Sequence, residues 1–289
     1  MGIYRETDDN LMVRFKLNES SGTSAADSSG NGRTGTLANF TNTTTCWVGG
    51  RRGGGLDFGQ GSDDTCTFAF TDPGNFTTMM AFVRWDSDAG TSPRIIHLGN
   101  NMPPYQLMYF DATNKQLRFG LTFAGGAQWF RTASDTVDTD SVWRHLAVTY
   151  DASDYENNPI FYINGEVSAT SLITRTSGAR TSLTTNFGAL GQVYNATNRG
   201  LDGVISDARV YNRILTQQEI SRVANFREPE TYTQSNFSDN FVINKKDQLS
   251  SQQYTRDDGT ITVDEVPFSL GIKGPINLRG RRTAYKVTK

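Results

Sequence analysis

Residues 143–167 read WRHLAVTYDASDYENNPIFYINGEV. Leu146, Val148 and Tyr150 alternate with His145, Ala147 and Thr149, the two-residue period of a strand and not the 3.6-residue period of a helix. The strand is predicted to stop near Asp151, where the polar run Asp151 to Asn158 begins. Ile160 to Ile163 then forms a second strand, ended by Asn164-Gly165. Asn-Gly between two apolar runs favours a type I′ hairpin turn, because both central residues take positive φ there at least cost. Val167 onward returns as an antiparallel partner. This stretch sets the expectation of an all-β chain.

Working outward, the same grammar recurs. Leu11 to Leu17, Thr67 to Phe70, Phe76 to Trp85, Ile95 to Leu98, Gln106 to Phe110, Gln116 to Phe123 and Gln128 to Thr132 are short runs rich in β-branched and aromatic residues, separated by turn residues. That spacing predicts a sandwich or jelly roll. One short helix is expected after Thr216, where Thr216 and Glu219 have the spacing of a capping box and Ile220, Val223 and Ala224 supply an apolar face. Cys46 and Cys66 are expected as buried free thiols, with a cross-strand disulfide as the alternative.

The 289 residues, 36% hydrophobic and 20% charged, are enough for one large β domain or two smaller ones. A net charge of −2 argues against a general nucleic-acid binder. The first ten residues lack the charged and apolar regions of a secretory signal, and no stretch is long and apolar enough to cross a membrane as a helix, so neither membrane nor nucleic acid is an expected partner.

Four segments, in order, resemble the laminin G-like, concanavalin A-like jelly-roll family: LMVRFKLNESSGTSAADSSGNGRTGTL (11–37), GGGLDFG (53–59), WRHLAVTYDASD followed by IFYINGEV, and GLDGVISDARVYNRILTQQEI (200–220). The resemblance covers about residues 1–226. It implies a two-sheet antiparallel jelly-roll sandwich with one short helix, the ends of the domain close together, and binding by loops or a sheet face. The architecture hosts lectins, glycosidases and adhesive modules, so it does not by itself assign an activity.

Glycosidases of this architecture carry two Glu and an Asp on one strand, and no Glu-X-Asp-X-X-Glu pattern occurs here; the expectation is a non-enzymatic protein. His97 and His145, the two histidines, stand in no zinc-type spacing. Asp27 and Asn31, with carbonyls from the turn between them, are candidate Ca²⁺ ligands, since calcium takes oxygens from flexible acidic loops. The family resemblance adds Asp207 to that set. The alternative is that Asp27 and Asn31 only make turn hydrogen bonds. Tyr105, Trp129 and Tyr194 are candidate platforms for a stacked sugar ring.

From residue 227 the composition shifts to a polar linker and short strand candidates, too poor in large apolar side chains for a robust core of their own. Lys273, Arg279, Arg281, Arg282 and Lys286 make the end of the chain basic. Together with the resemblance, this predicts a virion surface protein of a virus or phage, oligomeric, displaying a lectin-like domain toward a host glycan and anchored to other particle chains through residues 227–289. The competing expectation is a freestanding extracellular carbohydrate-binding module.

Overall fold

The computed structural model describes residues 9–59, 63–87, 92–132, 134, 137, 141–193 and 199–225 in full, and the backbone of five further strands between residues 242 and 288. One compact unit spans Asp8–Arg227 and a second takes in Glu228–Lys289. The first unit is built from two antiparallel sheets and one helix, the jelly-roll sandwich that the alternating runs predict.

The eight-stranded sheet runs in the order β14 (Glu166–Ser168), β13 (Ile160–Ile163), β12 (Arg144–Asp151), β7 (Phe76–Trp85), β17 (Gly203–Tyr211), β5 (Gly54–Phe58) and β4 (Trp47–Arg52), while β1 (Leu11–Phe15) also pairs with β17. The nine-stranded sheet runs β15 (Ser171–Thr174), β11 (Gly126–Arg131), β10 (Gln116–Phe123), β9 (Tyr105–Asp111), β8 (Arg94–Gly99), β16 (Gly188–Leu190), β6 (Thr65–Phe68), β3 (Gly35–Ala38) and β2 (Ser24–Ala25). The Trp143–Val167 stretch folds as read: Asn164 and Gly165 both have positive φ, 53° and 85°, and close the β13–β14 hairpin.

Between the sheets lies the main core, in which Phe15, Phe58, Phe68, Trp85, Phe110, Phe119, Phe130 and Phe161 are buried. Leu146, Val148 and Tyr150 point into it, as the alternation requires. On the other side of the eight-stranded sheet a second cluster forms beneath α1 (Gln217–Asn225), where Ile220 and Val223 cover Met80, Phe82, Ala147 and Tyr162. The capping box is present: Thr216 Oγ1 accepts from the Glu219 amide at 3.3 Å and Glu219 accepts from the Thr216 amide at 2.8 Å. Gly165 is needed twice over, for its positive φ and because a Cβ there would stand 2.8 Å from Ser221 Cα on α1.

β17 contains the main irregularity of this sheet. Opposite β7 the register steps from Ser206↔Phe82 to Arg209↔Met80, one residue more on β17, and Asp207 takes a left-handed φ of 48°. This is a β-bulge. It moves the inward positions from Ile205 to Ala208 and Val210 and leaves Asp207 and Arg209 buried together. The ends of the unit meet, since Asn212 donates to the Asn10 carbonyl at 3.0 Å. Cys46 and Cys66 are free and buried.

Within the second unit, β18 (Val242–Ile243), β19 (Ser251–Arg256) and β20 (Gly259–Asp264) form one sheet, and β21 (Gly271–Leu278) pairs with β22 (Arg282–Thr288). Lys273 lies on β21, and Arg282 and Lys286 lie on β22; Arg279 and Arg281 lie outside the described residues.

Candidate functional site

Asp27, Asn31 and Asp207 are organised around β1 by protein donors. Asp27 accepts from the backbone amides of Arg14 at 3.1 Å, Ser29 at 2.9 Å and Arg33 at 2.9 Å, and from the Ser29 hydroxyl at 2.8 Å. Burial opposes its ionisation, but these bonds hold the carboxyl below the usual range. Asn31 turns its amide nitrogen, a donor, to the carbonyls of Leu11 and Met12 at 2.8 and 3.0 Å.

Asp207 accepts from Arg14 Nε at 2.8 Å, Arg52 at 2.9 Å and Arg209 at 2.6 Å. Burial again works against its charge, and the guanidinium of Arg209, then that of Arg14, overcomes it and holds the carboxyl far below its ordinary value. The two carboxylates thus serve the two ends of Arg14, one its amide and one its side chain. A calcium site needs several oxygens converging on one point, and this donor set, with three guanidiniums on one carboxylate and an amide nitrogen in the turn, does not fit a calcium ion. Among the described residues no cluster of three or more His, Cys, Asp and Glu side chains is arranged to hold a metal.

Two of the three aromatic candidates are brought together on the outward face of the nine-stranded sheet; Tyr194 lies outside the described residues. The register of β11, β10, β9 and β8 sets Trp129, Gly120, Leu107 and His97 in one row across the strands. Arg131, Arg118, Tyr109 and Arg94 form the next row. Tyr105, at the start of β9, stands on the other side, its amide bonded to Thr122 Oγ1 at 3.2 Å. Tyr105 and Trp129 are half-buried, with ring centroids 5.6 Å apart, and Tyr109 meets the indole edge-on at 5.8 Å. Trp129 is a strand residue with rings on both sides.

Charged groups border the aromatic row. Arg118 pairs with Asp111 and lies 3.5 Å from the Tyr109 hydroxyl. The Arg94 guanidinium stacks on the Tyr109 ring, 4.6 Å from its centroid. Arg199 reaches Asn101 at 3.4 Å, and its carbonyl accepts from the Arg94 amide. His97 contacts the Asn100 carbonyl through Nε2 at 2.9 Å and lies 6.0 Å from Tyr105. Burial, with the Arg94 charge beside it, pushes His97 down to about 4, so the ring is neutral near pH 7. The exposed Met102 sits in the β8–β9 loop that leads into Tyr105.

Sequence reasoning missed Arg94, His97, Tyr109 and Gly120. Arg94 and His97 are three apart, so strict alternation puts them on opposite faces. An irregular step between Arg94 and Ile96 in the β8–β9 ladder brings both outward.

A flat aromatic surface beside fixed donors and acceptors can stack the apolar face of a sugar ring while binding its hydroxyls. Solved structures with this fold include the binding domain of Paraclostridial Mosquitocidal Protein 1, at TM-score 0.56 and 16% identity over 75% of this chain and 52% of that one. The botulinum neurotoxin serotype D binding domain gives a TM-score of 0.52 at 14% identity, over 75% of this chain and 51% of that one. Trypanosoma rangeli sialidase, solved in complex with sialic acid, gives 0.51 at 18% identity, over 75% of this chain and 33% of that one. The chain therefore spans about half the length of the toxin domains and a third of the sialidase, and identities this low speak for the fold alone. No curated protein sequence matches the chain. The family profile described as the concanavalin A-like lectin/glucanases superfamily matches residues 59–221, more than half of the chain, and the chain belongs to that superfamily.

Proposed function

We propose that the jelly-roll unit is a carbohydrate-binding module that seats a pyranose on Trp129 beside Tyr105, on the outward face of the nine-stranded sheet. The observation that carries this reading is the pair itself: two half-buried rings with centroids 5.6 Å apart, set side by side by strand register. The indole presents a π surface to the C–H face of a sugar, and Tyr105, His97 and the arginines of the same face supply polar groups at its rim. In this reading the protein binds and does not cleave.

The test is a glycan array with the full chain, followed by titration of the best hit against Trp129→Ala. Loss of binding by tenfold or more, with the melting temperature retained, is the expected result. An unchanged affinity overturns the site.

The second unit favours a role in display. We place attachment to a larger assembly, such as a virion, in residues 228–289, supported by their falling in a different unit from the jelly roll and by Lys273, Arg282 and Lys286 on paired strands. Salt-dependent release of the chain from purified particles is expected. Tight retention of a chain ending at Phe226 overturns the anchoring role.

A further inference from the structure

Arg94 is in an unusual position for a cation. Only 4% of the residue is exposed, its Nε is buried with no acceptor, and no carboxylate pairs with it among the described residues. Its neighbours are Tyr109, Tyr105 and a second cation, Arg199. Burial, reinforced by Arg199, lowers its hold on the proton to about 10. Arg118, on the opposite side of Tyr109 in the same row, shows the ordinary arrangement: it has Asp111. A buried guanidinium is stable when paired and hydrogen-bonded, and costly otherwise.

His97 repeats the pattern with the opposite polarity. It is 1% exposed, and because the Asn100 carbonyl can only accept, Nε2 carries the proton and Nδ1 is a bare acceptor. That Nδ1 is buried and meets no donor. One face therefore holds a buried donor, Arg94 Nε, and a buried acceptor, His97 Nδ1, that meet no partner, both beside Tyr105. Trp129 and Arg94 flank a single ring, Tyr109, with the indole centroid at 5.8 Å and the guanidinium carbon at 4.6 Å from its centroid.

We infer that the sugar bound on this face is acidic, with a carboxylate or sulfate of the ligand taking the place of the missing counter-charge at Arg94 while its ring stacks on Trp129. The guanidinium fork receives such an oxyanion by two parallel N–H bonds, and its stacking on Tyr109 already fixes its plane, so little ordering remains at binding. His97 Nδ1 accepts from a ligand hydroxyl. This inference rests on the carbohydrate reading above and specifies the ligand class of the same site.

The full chain is titrated with lactose, 3′-sialyllactose, a hyaluronan tetrasaccharide and lactose 6′-sulfate, which separate neutral, sialate, uronate and sulfate ligands. At least one acidic probe is expected to bind tenfold or more tighter than lactose. Arg94→Met is expected to bring that probe down to the lactose level and Arg94→Lys to recover part of the difference. Because Arg94 has no carboxylate partner among the described residues, an apolar side chain of similar length removes a buried charge and leaves none unpaired, so Arg94→Met should fold. Lactose bound as tightly as every acidic probe, with Trp129→Ala abolishing it, overturns the acidic ligand and leaves the carbohydrate site standing. Acidic binding that survives Arg94→Met within twofold overturns the role of Arg94. No binding of any acidic probe, together with no stabilisation of the wild-type chain over Arg94→Met by sodium glucuronate or sulfate relative to chloride, also overturns it.

Discussion

The indole of Trp129 lies on Gly120: a Cβ built on Gly120 would stand 2.1 Å from Trp129 Cζ3, on a residue directly paired with Trp129 in the β10–β11 ladder. The missing side chain is what lets the ring lie across the sheet between Tyr105 and Tyr109. Gly120→Ala must lift or rotate the indole, because a rigid bicyclic ring cannot yield at its tip. Overpacking of this kind costs about 1–3 kcal/mol. The variant is expected to remain folded, with a lowered melting temperature by circular dichroism and at least tenfold weaker sugar binding by calorimetry. Wild-type affinity in a folded Gly120→Ala chain would show that the indole is not the platform.

Asp207 separates charge from backbone in a second test. Its left-handed φ of 48° is one that Asn adopts as readily as Asp, so Asp207→Asn leaves the β17 bulge unstrained. What it removes is the negative charge that Arg14, Arg52 and Arg209 share. Breaking a buried ion pair from one side costs about 3–5 kcal/mol. Urea denaturation of Asp207→Asn should show a loss of that order with an unchanged m-value, and a loss much below it would mean that the arginines are sufficiently held by other groups.

Calcium gives a third. A ligand that binds only the folded protein at 100 times its Kd adds about 2.7 kcal/mol of stability. The Asp27 carboxylate is filled by amides and a hydroxyl and that of Asp207 by guanidiniums, so the melting temperature is expected to be the same in calcium and in chelator. A chelator-induced drop would locate an ion elsewhere in the chain or require the Asp27 turn to rearrange.

The fold was legible because burial has a period. Leu146, Val148 and Tyr150 point to one side for a local reason, and Asn164-Gly165 turns for a local reason. The helix was legible because Thr216 and Glu219 satisfy each other within one turn of chain. The site was half legible. Tyr105 and Trp129 stand out as aromatics, but their meeting depends on the pairing of β9, β10 and β11, which no local pattern states. The meeting of Arg94 with His97 depends on an irregular step in the β8–β9 ladder, and the bulge in the β7–β17 ladder decides which face Asp207 and Arg209 share. An extra residue in a strand inverts the faces after it, and alternation read from sequence carries the error forward. The family resemblance made Asp207 a metal ligand, although its neighbours in space are three arginines.

The two histidines set the pH dependence of stability just below neutrality. Burial, followed by the charge of Arg209, pushes His145 down to about 3, and burial with the Arg94 charge pushes His97 down to about 4. In the unfolded chain both titrate near the ordinary value of about 6.5. Above that value neither state takes the proton and the histidines contribute no slope. Below it the unfolded chain binds protons that the folded protein refuses, so stability falls as pH drops, by about 1.4 kcal/mol per pH unit for each histidine. Burial works against ionisation of Glu219 as well, but Arg213 and Thr216 hold it near 2, and Asp27 and Asp207 are also held low. These carboxylates add to the loss only as pH enters the ordinary carboxylate range near 4. Asp57, raised by burial and by Asp86, acts in the opposite direction at the foot of the window. His145→Phe keeps an aromatic ring against Phe82, now 4.8 Å from the His145 ring, and removes one of the two titrations. Urea denaturation between about pH 6 and 4.5 should give a slope for His145→Phe close to half that of the wild type. Equal slopes would mean that His145 is protonated in the folded protein and that the cluster beside it has the acceptor to hold that charge.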